Sequence, residues 1–431
     1  MKKRIFCALA IPLLFAVVSC TGEKEKEQVI QLSNTSEIQL TDKAVSIERE
    51  QFAPSDGAPN IPMLVRGADT LPSQINDLDG DGQWDALFVV TDFEPGETQK
   101  VTVHWVDSLP DFSKRTGARF GKRDAADVPV RPRTEETFEA DELPKSLGYQ
   151  PYQTDGPSWE NDKVGFRHYL DGRNAKDLFG KKTEAISPDW VGLDSMNTVV
   201  DNYHVMEDWG RDVLSVGNSV GLGGYGLKLG DTLMRLGVTV DDSINNVART
   251  HFRIAAEGPV NSILHYEYED WKTHGRTYNV SETTSIWPGM YGYKNTVSVQ
   301  GLQGDEELVV GLVNINTEKP LTEIEPNDEY VILYTHDRQT YESEWWLGMA
   351  LIVPQKYYLG HTEAPESGDF SNTFLARLDV KEGTPISYFA VGTWELSDPK
   401  FVEETYFVDY LTTLANQLVT KIEVQFENRP Q

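Results

Sequence analysis

Short runs of alternating or β-branched residues recur along most of this chain, broken at close intervals by glycine, proline, asparagine and aspartate. Ala86–Val90 (ALFVV), Lys100–Trp105 (KVTVHW), Leu308–Asn314 (LVVGLVN), Tyr330–Tyr334 (YVILY), Met349–Val353 (MALIV) and Ile386–Val391 (ISYFAV) are examples. Strand side chains alternate between two faces, so such runs pair into sheets whose apolar faces must be covered. The expected class is therefore mostly β. A helical period stands out near the end, over Glu403–Val419. There Phe407, Tyr410, Leu411, Leu414, Ala415 and Leu418 share one face. Lys421–Phe426 (KIEVQF) returns to alternation and predicts a last strand. No fixed period marks a propeller or a solenoid.

Of the 431 residues, 39% are hydrophobic and 10% aromatic, which excludes disorder throughout. Asp+Glu number 68 against 39 Lys+Arg, for a formal charge of −29. Such a balance argues against nucleic-acid binding, which draws on clustered Lys and Arg. It argues equally against electrostatic attachment to an anionic membrane.

Met1-Lys2-Lys3-Arg4 is a basic start, and Ile5–Val18 is apolar but short for a membrane span. Val17-Val18-Ser19-Cys20 then reads as a lipoprotein signal, with cleavage before Cys20 and acylation of its thiol. The expected destination is the cell envelope, as an outer-membrane lipoprotein that meets membrane only through its lipid. Cys7 and Cys20 are the two cysteines, so no thiol remains for disulfides or thiolate chemistry in the folded body. The expected divisions are residues 1–19 as signal and 20–37 as a flexible tether. A small β module with an acidic loop follows over 38–108, then a connection over 109–146 rich in charge and proline. The main β-sandwich with its C-terminal helix takes 147–431. The connection reads equally as a long excursion within one domain.

Four groupings carry chemistry. In Asp77-Leu78-Asp79-Gly80-Asp81-Gly82-Gln83-Trp84-Asp85, the carboxylates of Asp77, Asp79, Asp81 and Asp85 could wrap a structural calcium. A hairpin turn rich in Asp and Gly looks the same. In Gly156–Asn174, Trp159 offers a flat face for a sugar ring, and Glu160 and Asp162 could accept hydrogen bonds from hydroxyls. Arg167, Tyr169, Asp171 and Arg173 lie further along it, and a surface hairpin of paired charges fits as well. The third grouping, Asn202–Asp212, contains His204 and Trp209. The glycines after it lack the spacing of either nucleotide loop and suit close backbone approach. In the fourth, Arg249-Thr250-His251-Phe252-Arg253-Ile254, period two puts Arg249, His251 and Arg253 on one strand face. That face suits an anionic ligand, or pairing with His265, Glu267 and Glu269 of the next strand. No Gly-x-Ser-x-Gly elbow, His-Glu-x-x-His or zinc spacing occurs.

The segments GPSWENDKVGFRHYLDGRN, YHVMEDWGRDVLSVGNSVGLGG and EGPVNSILHYEYEDW, in that order, resemble a family of secreted proteins from bacterial polysaccharide-utilisation loci. The family was long described only as a domain of unknown function. It includes an oligosaccharide dehydratase of ulvan breakdown. The resemblance implies a large antiparallel β-sandwich of the galactose-mutarotase type. It implies removal of water from a non-reducing-end uronic acid of an anionic oligosaccharide, leaving a 4,5-unsaturated sugar. An unsaturated-uronyl hydrolase and a sulfatase are the implied pathway partners, and no cofactor takes part. Glu207, Asp208 and Arg211 stand where the resemblance implies more neutral residues.

Such a reaction takes the proton at C5, alpha to a carboxylate, and expels the C4 hydroxyl. The site must neutralise that carboxylate and supply a base and an acid. Arg167, Arg173 and Arg253 are the expected clamp, and His204 the acid/base with Tyr169 or His251 as partner. Trp159 and Trp209 are the expected sugar platform. A chain-cleaving polysaccharide lyase and a non-catalytic glycan-binding lipoprotein are the alternatives.

Overall fold

The computed structural model describes residues 28–52, 60–239 and 242–427. The signal sequence and Cys20 lie outside them. The alternating runs form strands close to where the sequence puts them. Examples are Ala86–Phe93, Thr98–Val106, Glu306–Val313, Tyr330–Asp337, Leu347–Pro354 and Ile386–Trp394.

The body is an antiparallel β-sandwich. One layer is a nine-stranded sheet that runs from Glu135–Glu139 at one edge, through Val247–Glu257, Ser262–Thr273 and Arg276–Ile286, to Thr322–Ile324 at the other. The facing layer is built from two five-stranded sheets. One orders Gly210–Asp212, Lys176–Lys181, Val164–His168, Ser158–Asn161 and Thr116–Arg119 side by side. The other centres on Leu222–Leu229 and Glu306–Val313. A bridge between Lys176 and Gly221 joins the two. Gly221 sits there at φ +77°, and a Cβ would collide with the Lys176 carbonyl, so the close backbone approach expected of this glycine run is present. Phe166, Leu178, Tyr225, Tyr266, Tyr293 and Val310 belong to one continuous core between the layers.

That core also holds charge. Lys176 and Glu282 are buried and paired at 2.6 Å, and the hydroxyls of Tyr225 and Tyr268 donate to the same carboxylate. Removing one partner of such a pair leaves an uncompensated buried charge. The helix Glu404–Val419 begins one residue later than expected. It lays Phe407, Leu411, Leu414 and Ala415 on the outer face of the nine-stranded sheet, against Ile332, Ala350, Ile352 and Phe389. Met349, Leu351 and Val353 of the same sheet point into the main core instead, as period two requires. Among the described residues no helix is long and apolar enough to cross a membrane.

Three divisions differ from the sequence reading. Gln28–Asn34, placed in the tether, is a strand, because Ile30 and Leu32 alternate into the core of the small module. The final strand, Ile422–Glu427, pairs with it and so belongs to the small module. The segment 109–146 is part of the sandwich. Thr116–Arg119 pairs with Ser158–Asn161, and Glu135–Glu139 pairs with Val247–Glu257. Asn261 fixes the module to the body through Gln74 and Asn76.

Candidate functional site

The hairpin turn around 169–175 sets Arg167 directly opposite Asp177. Both side chains point away from the main core. The connection 182–209, long for a compact domain, covers them with Tyr203 and Trp209. Arg167 is fully buried and meets three carboxylates. It pairs with Asp177, lies 3.0 Å from Asp212 and 3.4 Å from Asp155. Its guanidinium also donates to the Tyr169 hydroxyl at 2.6 Å, and that hydroxyl donates to Asp177 at 2.8 Å. The Tyr203 hydroxyl donates to Asp155 at 2.9 Å. Thr154 and Asp155 sit at φ +51° and +61°, and such strain concentrates at functional sites. Burial and the neighbouring Asp212 charge hold the Asp177 carboxyl above the usual carboxylate range despite Arg167.

His204 stands at the mouth of this cluster, 45% exposed. Its Nδ1 is 3.4 Å from the buried Asp212 carboxylate, and its Nε2 is 2.9 Å from the exposed Asp201. The contact with Asp212 raises its pKa above the ordinary histidine value. The result is a chain from Arg167 through Asp212 to a solvent-facing imidazole, a base oriented by a carboxylate that is itself braced. Tyr341 stacks beside the imidazole, centroid to centroid 6.3 Å, and the Arg211 guanidinium lies 6.0 Å from the same tyrosine ring. Arg211 also covers Trp345 and reaches to 3.6 Å from Glu344. The turn carrying Tyr341 is strained at Glu342 and Ser343, with φ of +62° and +54°.

The expected site residues divide among several places. His204, Arg167, Tyr169 and Arg173 come together, the last stacking on the Tyr169 ring at 3.6 Å and pairing with Asp171. Two of these roles change. Arg167 is saturated by protein carboxylates and cannot clamp a substrate. The Tyr169 hydroxyl is tied between Arg167 and Asp177, and burial raises its pKa well above 10, so it is no partner for His204. Trp159 is buried between Phe166 and Tyr293, and Trp209 packs on Phe179, so neither is a sugar platform. Glu160 accepts from Lys181 at 2.5 Å and from Ser187, while Asp162 accepts from Arg115 and from the Gly289 amide. Neither carboxylate is free for hydroxyls.

His251 and Arg253 lie in the nine-stranded sheet rather than beside His204. Arg253 is flanked by Glu135 and His265, His251 by Thr137 and Glu267, and Arg249 by Glu139 and Glu269. Arg253 also donates to the Leu78 carbonyl of the acidic loop at 2.5 Å. In that loop Asp77, Asp79 and Asp85 could hold a cation, their carboxylate oxygens lying within 4.8 Å of one another, whereas Asp81 falls outside the group. These carboxylates also accept from backbone amides of their own turn, as when Asp77 takes Gly80 and Gly82. Tyr341 escaped the sequence reading, its only sign being the aromatic cluster Tyr341-Glu342-Ser343-Glu344-Trp345-Trp346. Arg211 was visible in the third motif, but only as a charge out of place.

A family model described as a domain of unknown function (DUF4861) matches residues 32–424, and the chain belongs to that family. Uncharacterized protein P7 of Formosa agariphila is 23% identical over 445 residues, covering 97% of this chain and 98% of its own. Among solved structures, a protein in the glycosyl hydrolase family 38 from Enterococcus faecalis is similar with a TM-score of 0.49 at 11% identity. The alignment covers 94% of this chain and 48% of that one. An alpha-mannosidase from Enterococcus faecalis V583 has the same TM-score and identity, with 94% and 46% covered. The chain thus spans about half the length of these structures.

Proposed function

We propose that this DUF4861 protein is a carbohydrate-active lyase that eliminates water from a non-reducing-end uronic acid. The observation that carries the reading is the half-exposed His204 imidazole, oriented by buried Asp212 and braced through Arg167, with Tyr341 and Arg211 beside it. In this scheme His204 takes the C5 proton. The C5–H electron pair becomes the C4=C5 double bond as the C4–O bond breaks. Tyr341 gives its proton to the departing hydroxyl, which leaves as water. Arg211 takes the place of Arg167 as the group that neutralises the uronate carboxylate: its side chain keeps 10% exposure where Arg167 is sealed, and its partner Glu344, about half exposed, can give way. The family resemblance of the segment that carries His204 supports the same reading, while Arg211 stands where that resemblance implies a more neutral residue.

Incubation with uronate-ended oligosaccharides tests it. The expected product has lost one water, keeps its chain length and absorbs in the near ultraviolet as a conjugated alkene. Chain cleavage would show instead a polysaccharide lyase, and binding without turnover would remove the enzymatic reading.

A further inference from the structure

A cleft of about 1130 Å³ opens elsewhere on the sandwich, between the edge strand Thr116–Arg119, the strand Glu135–Glu139 and the far side of the 182–209 connection. It exceeds the roughly 300–1,000 Å³ of ordinary small-molecule pockets, so an extended ligand suits it better than a single ring. On its rim Trp190 is 48% exposed. The backbone holds that indole out. The buried Gln153 side-chain amide donates to the carbonyls on both sides of it, Asp189 at 2.8 Å and Val191 at 2.7 Å. The Leu193 amide closes the turn on the Trp190 carbonyl at 2.9 Å. A large apolar ring fixed in water on a clamped turn forgoes burial that a stacking partner would supply.

The charge of the cleft restricts that partner. Among the described lining residues, six carboxylates face four Lys/Arg side chains. The cations are largely spent, as in Lys122 with Glu136 at 2.6 Å and Arg119 with the Ser187 carbonyl at 2.7 Å. A uronate or sulfate would meet a surplus of like charge, whereas sugar hydroxyls would find acceptors in the exposed carboxylates of Asp189 and Asp124.

We infer that this cleft is a binding site for uncharged sugar rings, with Trp190 as the stacking platform. The inference takes from the proposed function only that the ligand is a glycan, and it assigns the neutral part of that glycan to this cleft.

Calorimetric titration with cellotetraose, mannotetraose, galactotetraose and xylotetraose tests it, with tetragalacturonate as the anionic counterpart. At least one neutral tetrasaccharide is expected to bind. Trp190→Ala should weaken it at least tenfold and Trp190→Phe by less than threefold, with unchanged thermal unfolding for both. Binding of none of the four, binding indifferent to Trp190→Ala, or tighter Trp190-dependent binding of tetragalacturonate would each overturn it. Neutral binding that persists while no uronate loses water would remove the dehydratase and leave the cleft standing.

Discussion

Arg167 and Arg253 each sit in a strand of an acidic protein, near histidine and a second arginine, and in the sequence the two groupings look alike. Arg167 points under a covering loop and is fully buried among Asp155, Asp177 and Asp212. Arg253 sits on a sheet face beside Arg249 and His251, with carboxylates on both neighbouring strands. The buried grouping is sealed from solvent, yet it reaches a solvent-facing imidazole through Asp212 and His204. The open grouping is accessible, and its members have partners of their own: Arg249 pairs with Glu139 and Glu269, Arg253 donates to the Leu78 carbonyl and His251 meets the Thr137 hydroxyl. Accessibility and connection to His204 therefore run opposite ways in this pair, and a cluster of cations in sequence does not tell which strand face is buried.

The largest effect expected from this contrast is on stability. Arg167→Ala strands three carboxylates around an emptied, water-excluded site and should cost about 3–5 kcal/mol in denaturant unfolding. A cost below about 1 kcal/mol would mean that Arg167 is not the brace described. Next in size is activity. His204→Ala should lower turnover by roughly 10²–10⁴-fold, the usual worth of a positioned acid/base. His251→Ala should leave turnover within about threefold of the parent.

A smaller effect is the pH dependence. The Asp212 contact raises the His204 pKa, so the base is neutral only at higher pH. Activity should rise with pH through a midpoint above 6.5, and Asp212→Asn should move that midpoint down. The stabilisation from the same contact has the opposite sense. It is fully present below the unfolded histidine value and lost as pH rises through the raised one. A midpoint unmoved by Asp212→Asn would separate His204 from the buried cluster. Smallest of all, Arg249→Ala should leave the denaturant midpoint almost unmoved, because its pairs with Glu139 and Glu269 are about half exposed.

Local order was legible in the sequence to within a few residues, as Tyr330–Asp337 and Glu404–Val419 illustrate, because periodicity is a property of neighbours. Long-range pairing was not. Asp177 and Asp212 went unnoticed because an aspartate in sequence looks the same in a turn, on a surface or against a buried arginine. One part could have been found. The Asp171-Gly172 turn implies a hairpin that brings Arg167 close to Asp177, although a two-residue turn there would set it across from Lys176, and the longer turn that forms shifts the register by one to Asp177. Asp212 and Tyr341 had no such signal, since they reach His204 only through the covering loop and a turn far along the chain. Trp159 and Trp209 misled for the opposite reason. Aromatic residues near charges suggest a sugar platform, but these two fill cores, and the exposed indole is Trp190.

The most direct test of the account sets the parent protein, His204→Ala and His251→Ala side by side on one uronate-ended oligosaccharide, with products read by mass spectrometry. Loss of one water at unchanged chain length is expected from the parent and from His251→Ala, with His204→Ala at least a hundredfold slower. Equal turnover by His204→Ala, or its survival where His251→Ala fails, would contradict it.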